Sequence, residues 1–483
     1  MPALNRRRFL AATAGTLAMP ALVQSDPSRA AEPSRAAETV SELRAAPATA
    51  QLVPPEYGAT DVWAYGGTVP GPLIRVKAGE RVQRRFKNDL PQNSAVHWHG
   101  IRLDNAMDGA AGLTQPPVRP GETFLYDFVA PDPGTYWYHS HDRSWEQMAR
   151  GLSGPLIVED VEPWAGLEGA ATREITLFLD DWLLAQDASI HEESLGALHA
   201  WAHAGRIGNT FTVNGTMDPD VPVRAGERLR LRLVNAANAR VMPVRIAGHR
   251  AKVIALDGFP ITPRDAEDGV TLAPAQRVDL VIDCTGGPGA KVPITIDRGR
   301  GQWVPVAQLT YSDEAALPRA GADVRPLPSW DAGRRPPLDL ENAQREMLVM
   351  EGGAMGGLAR ARLGGVDRDF RELIANRRVW AFNGVAGDLE EPTFRTRRGR
   401  TVHLTMRNAT RWPHGIHTHG HHFTVLSING TPDPYRDRRD TVLLQPDDEI
   451  EVAFVADNPG KWLLHCHMLE HQASGMLSWF EVV

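Results

Sequence analysis

Three stretches of this chain share one pattern, and that repeat limits the fold more than any other feature of the sequence. Arg75 to Val82 and Pro222 to Leu229 are close copies, and a looser copy surrounds Gly399. Each sets a glycine (Gly79, Gly226, Gly399) between two runs that alternate apolar and polar residues, and an asparagine (Asn88, Asn235, Asn408) follows each glycine by nine residues. Alternation at period two marks a strand with one buried face, while glycine frees the backbone for a tight turn. The spacing predicts one hairpin used three times. A chain of 483 residues is too long for a single core and suits three units of ordinary domain size. Its 44 glycines and 37 prolines fit short strands and turns rather than long helices.

The same repeat separates units that carry metal ligands from one that does not. Nine residues beyond each asparagine stand His97, Val244 and His417, and two residues further stand His99, Ile246 and His419. A second landmark agrees: five residues after Gly134, Gly289 and Gly460, each preceded by proline, come His139, Ile294 and His465, with Ser140, Thr295 and Cys466 next, and His141 and His467 after the first and third of these. In a strand, residues i and i+2 share a face, so each His-X-His pair offers two imidazoles side by side. Four such pairs converging would hold several metals, expected between the first and third units. The second unit, with Val244, Ile246 and Ile294 at the matching positions, is expected to be structural and to hold the other two together.

The terminal run from His465 to Met476 adds a different site. A thiolate, two imidazoles and a distant thioether favour an electron-transferring blue copper over zinc, whose structural sites take four strong ligands in a closed tetrahedron. Cys466, His471 and Met476 supply three of these four, and only the third unit has the thiol. A zinc knot is the alternative for this run taken alone. The four paired-histidine motifs weigh against it.

Other features bound the remaining possibilities. A short helix around Ala197 to Ala204 would carry His199 and His203 at i,i+4 spacing, with His191 nearby; a solvated loop insertion is favoured there over a surface metal site. The net charge of -7 gives no broad basic field for nucleic acid, and Arg377, Arg378, Arg397, Arg398 and Arg400 read as a solvated face. Prolines between Leu317 and Pro337 mark a linker from the second to the third unit. With Cys466 assigned to metal, Cys284 is expected to be a buried free thiol and no disulfide is expected. Arg6-Arg7-Arg8-Phe9-Leu10 followed by an alanine-rich run looks like a twin-arginine export signal, and the repeated Pro-Ser-Arg-Ala-Ala-Glu of residues 27–38 reads as a disordered tether. No later segment is long and apolar enough to cross a bilayer, so a periplasmic or otherwise exported, soluble mature protein is expected.

His97-Trp98-His99-Gly100, His139-Ser140-His141, the run from His414 to His421, and His465-Cys466-His467 through Met476 resemble the motifs of three-domain bacterial multicopper oxidases of the laccase-like kind. The resemblance covers essentially everything after the tether. It implies an all-β chain of three tandem cupredoxin-like Greek-key β-sandwich or barrel domains, at residues 45–160, 170–315 and 339–483, with the signal and tether over 1–38 and the linker over 316–338. It also implies four copper ions. The type 1 copper would take His414, Cys466 and His471 with Met476 as the weak axial ligand, the type 2 copper His97 and His417, and the type 3 pair His99, His139, His141, His419, His465 and His467. Asp108 matches the acidic residue that the family places beside the type 2 copper, where it would organise protons and water. Gln472 departs from the glutamate that often follows the last type 1 histidine, and a glutamine cannot carry a proton.

The implied reaction couples four one-electron oxidations to reduction of dioxygen to water, with Cys466 passing electrons to His465 and His467. The expected donors are phenols and aromatic amines. Oxidation of cuprous ion is the alternative; family members that do this carry methionine-rich insertions and an acidic or methionine residue before the first type 1 histidine, where this chain has Thr410 and Trp412 and only Met347, Met350 and Met355 nearby. A periplasmic scaffold that has lost its copper is a third reading, which the complete ligand set disfavours.

Overall fold

The computed structural model describes residues 40–159, 172–318, 324–328, 336–387 and 389–483. The export signal and tether expected over residues 1–38, and part of the expected linker, lie outside them. The first strand, Ser41–Ala50, begins ahead of the residue 45 expected for the first domain.

The strands assort into pairs of sheets in three successive stretches of chain. In the first, Thr60–Tyr65, Ser41–Ala50, Arg81–Asn88 and Thr123–Val129 form one four-stranded sheet, and Ile74–Lys77, Ser153–Glu159, Gly134–Ser140 and Val96–His99 form another. The second stretch, residues 172–311, builds a six-stranded and a five-stranded sheet, and the third builds a seven-stranded and a five-stranded sheet together with a small hairpin, Arg360–Leu363 with Val366–Asp369. Strands such as Ile74–Lys77 alternate and bury one face, whereas Gly134–Ser140 and Arg228–Asn235 are buried on both. One apolar cluster gathers Leu229, Leu231 and Leu280 from one sheet of the second pair with Val244, Ile294 and Ile296 from the other. A larger cluster runs continuously from Val96, Trp98 and Tyr138 of the first stretch to Ile416, Leu464 and Cys466 of the third. The first and third units therefore adjoin where their histidine pairs lie, and the second has a core of its own.

The repeated glycine turn is real but is not a hairpin. Gly79, Gly226 and Gly399 all adopt the left-handed region, with φ of +83°, +82° and +83°, where glycine avoids the Cβ clash. The strands they join enter different sheets: Ile74–Lys77 pairs with Ser153–Glu159, whereas Arg81–Asn88 pairs with Ser41–Ala50 and Thr123–Val129. The same holds on either side of Gly226 and Gly399. Alternation reports only that each strand has a buried face, and strands facing one another across a sandwich satisfy it as well as paired ones. The asparagines act alike in all three copies. Each Oδ1 accepts from the backbone N–H two residues on (Leu90, Ala237, Thr410), and each Nδ2 donates to carbonyls of the following loop and a neighbouring one. This is an Asx turn, and it fixes the loop that delivers His97, Val244 or His417.

Register distinguishes the second unit further. His97 stands opposite His139, and His417 opposite His465. In the second unit Val244 pairs with Ile296, and Ile246 with Ile294, a slip of two residues from the alignment that sequence spacing implies. A slip of two keeps every side chain on its own face, so the aliphatic residues still fill the core. The short helix is present as Leu198–Ala202. Cys284 is buried and free, and burial pushes its thiol up to about 12. No helix among the described residues is long and apolar enough to cross a membrane.

Candidate metal centre

Two sites share one strand. In Gly460–Cys466 and the residue that follows it, His465 and His467 point to one side and Cys466 to the other, as strand alternation requires. On the cysteine side, Cys466 Sγ lies 3.6 Å from His414 Nδ1 and 3.9 Å from His471 Nδ1, and the two Nδ1 atoms are 3.1 Å apart. Three donors at these separations surround a point at bonding distance from each, at about 2.0–2.3 Å. Met476 is fully buried, and its carbonyl accepts from Cys466 N–H at 3.0 Å. Burial pushes the Cys466 thiol up to about 12 and holds His471 down to about 4. The imidazoles are thus neutral and ready to donate, while the thiolate needs a bound cation to form.

On the other side eight buried imidazoles converge. His97 stacks on His419, and His99 on His417, with ring centroids 3.8 Å apart in each case. His419 Nε2 meets His465 Nε2 at 3.0 Å, and His467 Nε2 meets His139 Nε2 at 3.4 Å. Nitrogens that face no acceptor are His97 Nε2, His417 Nε2, His141 Nε2, His99 Nδ1 and His467 Nδ1. Buried polar atoms are ordinarily satisfied, so this convergence of bare nitrogens fits bound cations. Burial, reinforced by neighbouring imidazoles, lowers His99, His139, His141, His419, His465 and His467 well below their ordinary value. The outer nitrogens are anchored: His97 Nδ1 donates to the Asp108 carbonyl at 2.8 Å, His417 Nδ1 to the Asp440 carbonyl at 2.9 Å, and His465 Nδ1 to the Cys466 carbonyl at 3.0 Å.

Residues 48–163, 173–290 and 366–483 each match a family model described as multicopper oxidase. Solved structures agree along the whole fold. The multi-copper oxidase of Pseudomonas thermotolerans superposes with a TM-score of 0.76 at 32% identity, over 92% of this chain and 98% of that one. Lac15 from a marine microbial metagenome superposes with a TM-score of 0.72 at 35% identity, over 92% and 100%. Among curated relatives, multicopper oxidase MmcO of Mycobacterium tuberculosis is 29% identical over 93% of this chain and 88% of its own length. The chain belongs to the multicopper oxidases. It is an oxidoreductase that uses copper and dioxygen.

In this multicopper oxidase seven histidines of the four pairs group in the cluster and His467 joins them through His139, while His414, Cys466 and His471 lie together beside it. Asp108 is 2% exposed and reaches two imidazoles, its carbonyl accepting from His97 and its Oδ2 from His419 Nδ1 at 2.9 Å. Gly109 explains its place: with φ +81°, a Cβ there would overlap the Val96 carbonyl on the histidine strand. Thr410 Oγ1 lies 2.8 Å from His414 Nε2, and Trp412 donates from Nε1 to the Ala354 carbonyl at 3.1 Å. Met347 and Met355 are exposed while Met350 is buried. Gln472 and His141 line one pocket of about 270 Å³ with Asp142, Trp145 and Arg378.

Sequence reading missed Asp440 and its partner Arg277. Asp440 Oδ1 lies 3.3 Å from His99 Nε2 and its carbonyl holds His417. Arg277, from the strand Arg277–Asp283 of the second unit, donates to both carboxylate oxygens at 2.9 and 2.6 Å. Burial would raise the Asp440 carboxyl, but Arg277 and then His99 overcome this and hold it well below the usual range. Gly100, with φ +83°, follows the first histidine pair for the same reason: a Cβ there would sit 2.5 Å from Arg277 Nη2 and 2.7 Å from Asp440 Oδ2. The second unit supplies no cluster imidazole, yet it orients the aspartate against which two cluster imidazoles rest.

Proposed function

We propose that this chain is a laccase-like oxidase, with type 1 copper on His414, Cys466, His471 and axial Met476, and type 2 copper on His97 and His417. One type 3 copper would take His141, His419 and His465, and the other His99, His139 and His467. The domains would span 45–160, 170–315 and 339–483, joined by the linker 316–338. The carrying observation is the position of Cys466: its sulfur belongs to the trio, while its backbone joins His465 and His467 and its carbonyl accepts from His465 Nδ1. When bound, the coppers accept one electron at a time at the first site and reduce dioxygen by four electrons at the second.

The protein's own part is to hold ligands and move protons. Asp108 fixes the rings of His97 and His419 and, being buried among them, is placed to order water and carry protons to the cluster. The pocket shared by His141 and Gln472 opens toward the cluster, and glutamine there can position water but not release a proton. The donors in this reading are phenols and aromatic amines; the dispersal of Met347, Met350 and Met355 over exposed and buried sites speaks against cuprous ion. Export by the twin-arginine route is proposed on the Arg6-Arg7-Arg8-Phe9-Leu10 run.

Copper analysis with spin-resonance spectra should give four coppers per folded chain, of which one is blue and one type 2. Steady-state rates then separate the donors. Removing Met347 and Met350 should leave phenol oxidation unchanged, and a loss confined to cuprous oxidation would make cuprous ion the donor instead.

A further inference from the structure

Neither imidazole of the Cys466 site presents an edge to solvent. His414 and His471 are fully buried, the outer nitrogen of His414 meets Thr410 Oγ1, and the outer nitrogen of His471, Nε2, donates to the carbonyl of His203 at 2.6 Å. His203 follows the short helix Leu198–Ala202, between strands Thr172–Trp182 and Thr210–Val213 of the second unit. Three successive carbonyls of this segment are tied to the third unit. Trp201 accepts from Trp380 Nε1 at 2.7 Å, Ala202 from Ala354 N–H at 2.6 Å, and His203 from His471. Trp380 in turn lies against His471, with ring centroids 4.4 Å apart. The segment is a strap fastened across the site, and it leaves a donor no direct contact with His471.

The far side of the strap faces a cavity of about 400 Å³. Ala202 forms part of its wall, with Ala354, Met355, Phe370, Ile374 and Val379, and no charged or hydrogen-bonding side chain lines it. Met355 and Phe370 stand exposed at its rim. With no carboxylate or imidazole, the lining offers a metal ion only the single thioether of Met355 in place of its water shell. A neutral ring loses little on leaving water and gains apolar contact, and the size lies within the range of small-molecule pockets.

We propose that this cavity is the donor site and the strap the electron path. A neutral phenol or aromatic amine docks against Ala202, and its electron crosses the Ala202–His203 peptide and the hydrogen bond from the His203 carbonyl to His471 Nε2. Each donor loses one electron; a phenol releases its hydroxyl proton to water at the open rim and leaves as a neutral radical. With copper bound at Cys466, that ion would take up the electron, and four such transfers would supply what one dioxygen needs. The inference rests on the ligand assignment proposed above, and it places the residues that select the donor outside the ligand set.

Ala202→Phe fills the cavity wall, and Phe370→Asp puts a charge at its exposed rim without entering the core. Both are compared with wild type in three measurements: the thiolate-to-copper absorption, KM for a neutral phenol, and saturation-transfer NMR of anisole, a redox-silent aromatic, on the reduced holoprotein. The expected result is a roughly tenfold or greater rise in phenol KM, the scale of losing one wall of an apolar pocket. Anisole contact should be lost and the blue absorption kept. Unchanged phenol KM and anisole contact in both folded variants would overturn the donor site. Absence of the blue absorption in wild type would instead overturn the ligand assignment, while anisole binding that Ala202→Phe abolishes would still support the cavity.

Discussion

Replacing Arg277 with methionine tests whether the second unit organises the copper cluster. The Arg277 side chain is fully buried and makes five hydrogen bonds. It donates to Asp440 Oδ1 and Oδ2, at 2.9 and 2.6 Å, and to the carbonyls of Asp257, Thr135 and Ala275, at 2.9, 3.1 and 3.2 Å. Methionine fills much of the volume but leaves the Asp440 carboxylate without its cation in a site that water does not reach. Breaking a buried pair from one side costs about 3–5 kcal/mol, against at most about 1 kcal/mol for an exposed pair. A loss near 4 kcal/mol is expected in urea unfolding of the copper-free protein. Adding Asp440→Asn removes the stranded charge, so the double variant should be less destabilised than the two single losses summed, by roughly 2 kcal/mol. Because Asp440 also anchors His99 and His417, the single variant should hold less cluster copper while keeping its blue absorption. A cost below about 1 kcal/mol, or additive single losses, would refute the argument that this pair is a coupled buried unit.

Three further outcomes are expected. Cys466→Ser should abolish the blue absorption and steady-state oxidation yet keep most cluster copper, since no cluster imidazole is removed and a hydroxyl is a poor ligand for this copper; full activity would contradict the assignment. Ile294→Ala, at a position with no exposed surface, should cost roughly 2–5 kcal/mol without changing copper per folded chain, and selective loss of one copper would show that the second unit has been misread. The copper-free protein should weaken in acid. His471, held down to about 4 by burial, stays neutral in the fold while the unfolded chain protonates near its ordinary value, so its stabilisation is complete above about pH 6.5 and lost as pH falls toward 4. Its share alone is on the order of 3 kcal/mol, and unfolding free energies that do not fall between pH 7 and 4 would contradict this.

Much of the candidate site was legible because its chemistry is local to a strand. Histidines two apart must share a face, and the residue between them must turn away. His465, Cys466 and His467 therefore place a sulfur and two imidazoles on opposite sides wherever that strand lies. Spacings repeated three times, nine residues after an asparagine and five after a Pro-Gly glycine, likewise identified Val244 and Ile294 as the aliphatic counterparts of His97 and His139 before any contact was known.

Other features depended on which strands met in space. Alternation around Gly79, Gly226 and Gly399 is the same whether flanking strands pair or face one another, so only the tertiary structure shows that they enter opposite sheets. The two-residue slip that pairs Val244 with Ile296 keeps the same faces and so leaves no mark on the pattern. Arg277 and Asp440 lie 163 residues apart, in runs that read locally as a strand start and a turn. The cap on His471 is a backbone carbonyl, which has no residue signature at all. Local periodicity is set by backbone geometry over a few residues and can be read directly from the sequence. Partners drawn from separate units are set by how whole sheets pack, and that depends on the summed burial of many side chains rather than on any one stretch of sequence.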